Sequence, residues 1–358
     1  MKRFTIFFTV IVVGVLFNLA GTYSFAAKVF VNSIAFSPDG LLASADTTVY
    51  DLEGGKTFNT VNTVKLWNVK TRALMGTFPS SDWVKSVAFS PDSSLLAGGG
   101  SKGEEVAGFI LYIDDEIILW DVKSRTPVAV LDSSAGDSVA FSPDGSLLAS
   151  GGGMVELWDL RTKTLVVVEN SDWGYNSVAF GPDGSLLASG YDDGVKLWDA
   201  KSGALLGRFP AGSVDSVAFS PLNLLASGGN YSVKIFDVRN KKLSLEEEFR
   251  SDGLINSITF SPDGSLLAGG DSDGNVVLWD MKNRNFITKL KVHSDSVKSV
   301  AFSPDGSLLA CGGKGGGIEL WNMRSVALVA TLKSSDNGQS VFSTEKLVTT
   351  WGAIKSAP

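Results

Sequence analysis

Two side chains bound the chemistry open to this 358-residue chain: His293 and Cys311, each the only residue of its kind. Zinc and transition-metal sites draw mainly on histidine nitrogen and cysteine sulfur, and one of each leaves no material for such a site. A serine–histidine–aspartate triad has only His293 to use. One cysteine makes an internal disulfide impossible. The run Asp271-Ser272-Asp273-Gly274-Asn275 is oxygen-rich like a calcium loop, but its glycine is out of place for an EF-hand and no glutamate closes it. It reads as a hairpin turn. Asn230-Tyr231-Ser232 fits a glycosylation sequon, discounted because the N-terminal residues and the lack of disulfides lead to the expectation of a bacterial chain. No glycine loop is arranged to cradle phosphate. The formal net charge is −7 with no basic stripe, so the electrostatic footprint of a nucleic-acid binder is absent. The expectation is a non-enzyme with no catalytic, cofactor-binding or metal-binding residues.

The glycine-rich, 44% hydrophobic remainder of the chain is organised by one repeated stretch. Residues 177–199 read SVAFGPDGSLLASGYDDGVKLWD, and close copies occupy 138–159, 257–280 and 299–322. Looser copies begin at Ser33, Ser86 and Ser216. Each copy holds three short apolar runs separated by two turns. Pro182-Asp183-Gly184 makes the first turn: proline presets φ, and aspartate and glycine suit the following positions. Asp192-Asp193-Gly194 makes the second, a hairpin signal. A fourth apolar run precedes the next copy. In 178–180 alternate side chains face opposite ways, so Val178 and Phe180 are expected to meet one neighbour and Ala179 the other. The Gly-Gly runs at second-strand ends read as turns.

A period near 40 residues with four strands and a terminal Trp-Asp resembles the WD40 β-propeller blade. The resemblance rests on third strands ending in Trp67, Trp120, Trp158, Trp198, Phe236, Trp279 and Trp321, each followed by Asp or Asn, and on Phe-Ser-Pro-like turns at Phe36, Phe89, Phe141, Phe180, Phe219, Phe260 and Phe302. It implies an all-β propeller over 28–333, with seven four-stranded blades. Residues 334–358 then form a truncated eighth repeat, covering an edge strand or entering the ring; the alternative is an eight-bladed ring with an incomplete last blade. In many propellers of this family the last blade takes a strand from the N-terminus. Here the N-terminal side has none left to give, so the C-terminal side must finish blade 7 alone. The family's buried tetrad of histidine, serine or threonine, aspartate and tryptophan is complete in no blade. Apolar packing is therefore expected to dominate over side-chain networks.

Residues 1–26 read as a secretory signal peptide: Lys2 and Arg3, an apolar run, then Ser24-Phe25-Ala26 as a small-x-small cleavage site. This implies an exported bacterial protein, periplasmic or extracellular, with an inner-membrane anchor by an uncleaved segment as the alternative.

Fold residues are shared by all copies, so partner residues are sought where copies differ. One such position precedes the first-strand serine: Asn32, Lys85, Asp137, Asn176, Asp215, Asn256 and Lys298. By resemblance to the family it lies near the top opening of the ring. Trp83, Trp173, Tyr175 and Leu254 sit just ahead of it, and aromatics at a rim make interface anchors. Two inserts, 46–62 in blade 1 and 101–116 in blade 2, carry Tyr50, Phe58, Phe109 and Tyr112 among other apolar residues. The function expected is an exported scaffold or recognition module, monomeric, with a protein partner, no nucleic acid and no membrane span after cleavage. The alternatives are a quinoprotein-like periplasmic enzyme and a carbohydrate-binding propeller.

Overall fold

In the computed structural model of the chain, the described residues are 4–12, 15–23, 26–51, 58–80, 83–106, 109–170, 174–293, 295–334 and 340–341. Seven antiparallel sheets of consecutive strands follow one another as blades at 26–78, 83–133, 138–170, 175–210, 214–250, 255–291 and 297–334. Blade 4 shows the plan: Tyr175–Phe180, Leu186–Tyr191, Gly194–Asp199 and Leu205–Pro210, hydrogen-bonded in that order. Blade 5, whose turn reads Pro221-Leu222-Asn223, keeps the shape because Asn223 holds the left-handed φ of 59° that Ser93 supplies in blade 2 and glycine in the other five.

First strands touch the first strands of both neighbours all the way round, which makes them the inner wall. A matching circuit of hydrogen bonds runs through the first-strand serines. Ser33, Ser86, Ser138, Ser177, Ser216 and Ser257 each accept at Oγ from a backbone N–H of the following blade: Val87, Val139, Val178, Val217, Ile258 and Val300. Ser299 of blade 7 accepts from the N–H of Ile34 in blade 1 at 3.0 Å and closes the circuit. The ring therefore has seven members. All four strands of blade 7 come from its own segment, and closure needs no exchanged strand. Ser340–Val341 pairs with the outer edge of blade 7 at Lys333 and Ser334; the rest of the expected eighth repeat lies outside the described residues. Phe4–Val12 and Val15–Tyr23 pair as a hairpin forming a sheet of its own.

The core consists of seven apolar clusters, each lying in one seam between neighbouring blades. At seam 3–4 Val178 and Trp198 pack on Leu157 and Ala149, while Leu197, Val195 and Ala179 enter the cluster of seam 4–5. The expected division of faces is thus observed. Burying each tryptophan stabilises its seam by about 3–5 kcal/mol relative to the cavity its loss would leave.

Tryptophan also carries one polar atom into six of the seven seams, Phe236 standing in the seventh, and the blades satisfy it by different means. Trp67 and Trp198 donate to Ser44 and Ser189 at 3.1 and 2.9 Å, the serine–tryptophan half of the family tetrad. In blade 2 Gly98 replaces that serine because the indole occupies the space: a Cβ there would sit 2.5 Å from the Trp120 ring. Trp120 then donates to the Pro79 carbonyl at 3.1 Å. Gly98, Gly99 and Gly100 lie inside the strand Leu95–Val106. The glycine runs are sites of close approach here, contrary to their reading as turns.

The expectation that networks contribute little fails in blade 3. Buried Glu156 accepts from Ser133, the Ser134 N–H, Ser150 and Trp158 at 2.6–3.3 Å. In blade 1 buried Lys65 pairs with buried Asp46 at 2.5 Å. Lys196 in blade 4 is 4% exposed, with its ammonium 5.1 Å from the Tyr191 ring and 5.6 Å from the Trp198 ring. All three stand two residues before the tryptophan, or pair with the residue that does, where alternation turns the side chain toward the seam.

Candidate functional site

The residue before each first-strand serine is an extra residue in its strand. The register slips between Val31 and Ser33, Val84 and Ser86, Tyr175 and Ser177, Val214 and Ser216, Ile255 and Ser257, and Val297 and Ser299. Asn32, Lys85, Asn176, Asp215, Asn256 and Lys298 are therefore β-bulge residues, unpaired in the ladder and re-aimed by it. Asp137 stands just ahead of its strand, donating its N–H to the Gly151 carbonyl at 2.8 Å. The bulges fall at one end of the innermost strands, so the seven positions form a rim around the opening, opposite the Pro-Asp-Gly turns.

The rim groups are tied from blade to blade. Asn32 donates to the Val84 carbonyl, Asn176 to that of Val214 and Asn256 to that of Val297, at 3.3, 3.0 and 2.9 Å. Lys85 pairs with Asp137 across the seam between blades 2 and 3. Burial pushes the Asp215 carboxyl up; Lys298 across blade 6 pulls it down and Asp192 pushes it up again. Leu254 is half-buried, with its backbone tied to Ser272 in both directions.

The two inserts continue the sheets. In blade 1 the strands Ala26–Phe36, Leu41–Asp51 and Phe58–Asn68 stay paired past the rim, from Asp46↔Thr63 up to Asp51↔Phe58. In blade 2, Leu95–Val106 and Phe109–Asp121 pair out to Val106↔Phe109, with one slip at Lys102. The inserts are a pair of tall hairpins on adjacent blades, the first as the pair Gly54-Gly55 suggested, although those two glycines lie outside the described residues. Their feet are fastened to the rim. Asn32 donates to Thr47, which donates to Asn62, both at 2.9 Å. Ser101 donates to Asp115 at 2.8 Å, and Asp115 accepts from the Gly136 N–H of blade 3 at 3.2 Å. Trp83 pairs in register with Ser101. It is 37% exposed, and the Lys85 ammonium lies 5.6 Å from its ring centre. Trp83, Lys85 and Asp137 thus meet at the foot of the second hairpin.

The backbones of Tyr50, Phe58, Phe109, Tyr112 and Tyr175 lie in strands; their side chains, and the whole of Trp173, are outside the described residues. Asp271 is fully buried and uses its carboxylate on its own turn, accepting from Asp273, Asn275 and the Asn275 amide at 2.7–3.1 Å. His293 is 8% exposed and its Nε2 has no partner; burial lowers its pKa. Cys311 is buried, and burial pushes its thiol well up. Among the described residues no group of three histidine, cysteine, aspartate or glutamate side chains could hold a metal ion, and no helix is long and apolar enough to cross a membrane.

Residues 72–121, 126–159, 163–199 and 284–322 match the WD domain, G-beta repeat family, and 224–302 match the anaphase-promoting complex subunit 4 WD40 domain family. The chain is 27% identical over 228 residues to the methylosome protein WDR77 of Xenopus laevis, spanning 60% of this chain and 68% of that protein. It is 28% identical to eukaryotic translation initiation factor 3 subunit I of Culex quinquefasciatus, over 59% and 72% of the two chains. It is also 28% identical to serine-threonine kinase receptor-associated protein of Gallus gallus, over 61% and 60%. A chain in a crystal structure of the mitotic checkpoint complex superposes with a TM-score of 0.65 at 21% identity, over 82% of this chain and 87% of that one. That likeness is one of fold.

Proposed function

The chain belongs to the WD40 repeat family, and from that premise we propose that it is a non-enzymatic propeller that holds a protein partner on its rim face, against the hairpins of blades 1 and 2. The observation that carries this reading is the pair of strand extensions. They occur on adjacent blades, are fastened to the bulge residues at their feet, and flank an exposed tryptophan beside an ion pair. The compact blades build their seams without such extensions, so the hairpins are spare to the fold and available to a partner. An exposed aromatic with a neighbouring Lys–Asp pair has the composition of an interface anchor inside a polar rim. Three similar proteins are named for an assembly, a subunit or an association, which fits a scaffold.

We further propose that the chain is exported and that the mature protein begins at Ala27. The matched relatives named above are eukaryotic, so this reading rests on the N-terminal sequence: Lys2-Arg3, the apolar run and the small residues Ser24 and Ala26.

The test of the docking face replaces 47–62 and 102–115, separately, with the Asp-Asp-Gly turn of blade 4. Both shortened chains should melt as the full chain does. Capture of partners from extracts of the source cells, read by quantitative mass spectrometry, should fall at least tenfold for one or both. Capture at full level by both would move the docking face away from blades 1 and 2.

A further inference from the structure

On the face opposite the rim, six seams are closed by the side chain that follows the Trp-Asp, Trp-Asn or, in blade 5, Phe-Asp pair. Val122 does this at seam 1–2, Leu160 at 2–3, Val238 at 4–5, Met281 at 5–6, Met323 at 6–7 and Val69 at 7–1. At seam 3–4 the position holds Ala200. At its other end the same seam differs in sequence as well. Six blades place phenylalanine or leucine opposite the start of the third-strand core, as in Val195↔Phe209 and Val276↔Leu290. Blade 3 places Glu169 opposite Val155. A groove of about 730 Å³ opens beside Ala200.

Leu147, Leu157, Val166 and Ala200 supply its apolar walls, and Val166 is 51% exposed. Asp144, Asp159, Asp183 and Asp199 stand around it with Lys201 and Lys241. Hydrogen bonds from serine and threonine hold the first three carboxyls below their usual range; the Lys241 ammonium, then Ser202, hold Asp199 at about 2. Lys241 is committed to Asp199 at 2.9 Å. Gly181 replaces the serine that donates to the turn aspartate in five other blades, so Asp183 has one donor fewer than Asp144.

Turn aspartates of this kind recur around the ring; the missing plug at Ala200 does not. We propose that the groove between blades 3 and 4 is a second docking site, which takes an extended peptide segment of a protein partner, a basic side chain at its aspartates and an apolar neighbour on Leu157 and Val166. Four aspartates against two lysines, one already paired, leave the groove complementary to arginine or lysine, and the apolar walls match the aliphatic stem of either. The site is separate from the hairpin face and does not depend on it.

The test uses the full chain and two fluorescein-labelled nine-residue peptides, one alternating Leu with Arg and one alternating Leu with Glu, read by fluorescence anisotropy at low and high salt. The Leu–Arg peptide should bind, more weakly at high salt, and the Leu–Glu peptide should not. Ala200→Met restores the plug of blades 6 and 7; it should weaken binding at least tenfold with a thermal midpoint no lower than that of the parent. Ala200→Val gives the smaller plug if methionine disturbs the fold. Asp183→Asn should weaken binding severalfold, and Asp263→Asn on blade 6 should leave it unchanged. The chains with shortened hairpins should bind the peptide fully. Undiminished binding by both Ala200 variants, equal losses at Asp183 and Asp263, displacement by spermine at the peptide's own affinity, or no binding at all would each overturn the proposal.

Discussion

Glu319 offers the sharpest test of how this ring handles buried charge. It stands two residues before Trp321, whose indole N–H donates to it at 3.0 Å, and pairs in register with Cys311 and Thr331. Burial pushes its pKa from 4.5 up to about 7, against the opposing pull of Trp321 and Lys333. A carboxyl raised in the folded state stabilises the fold most below its unfolded pKa. That contribution is lost as pH rises from about 4.5 through about 7. At face value the difference corresponds to roughly 3 kcal/mol; Glu319 is only half-buried, and solvent screening reduces this to about 1–2 kcal/mol. Glu319→Gln keeps an acceptor for Trp321 and cannot ionise. The variant should match the parent near pH 4.5 and be more stable by about 1–2 kcal/mol at pH 8. Urea unfolding at half-unit steps of pH measures the difference directly. His293, whose lowered pKa makes the fold lose stability as pH falls through 6.5, contributes to both chains and cancels. A difference that stays flat from pH 4.5 to 8 would show that Glu319 ionises freely in the fold and that the reasoning from burial is wrong.

Three further outcomes are expected. Trp198→Phe should cost about 1 kcal/mol for the bond to Ser189 and Trp198→Ala about 3–5 kcal/mol for the cavity; equal losses in denaturant melts would count against the seam packing. Glu156→Ala strands four donors in a buried place and should cost at least about 3 kcal/mol, with Glu156→Gln recovering much of it. Protein from the envelope fraction should give an N-terminal sequence starting at Ala27, whereas a chain retaining residues 4–20 would support the membrane anchor.

Strand order, turn positions and the face each side chain takes were legible because a period-2 pattern bounded by Pro-Asp-Gly, in five copies of the seven, admits one reading that the other two copies follow. The rim was legible as a column of differing residues, although its cause was not: a bulge is a register slip, visible only once both strands are placed. The first hairpin was signalled by Gly54-Gly55, whereas the second was hidden because Ser101 to Glu105 carry little strand propensity. Thr47, Thr48 and Val49 facing Thr60 and Val61 were a further sign of the first. Glu156, Lys65 and Lys196 were overlooked because charge in a strand reads as solvent-facing unless alternation is followed through to the tryptophan two residues on. The groove needed the column that follows each Trp-Asp pair to be compared across all seven copies, and only the fold shows that position 200 closes a seam.

The circuit of serine bonds has a mechanical meaning. Every blade is assembled from its own segment, so the ring is a hoop without a clasp, and the joint between Ser299 and Ile34 repeats the serine bond of the other six and adds a backbone bridge between Phe30 and Lys314. Tension applied through the chain ends meets no shared strand that must be sheared lengthwise. It peels blade 7 from blade 1 one contact at a time and opens the hoop there, while the remaining six joints stay off the line of force.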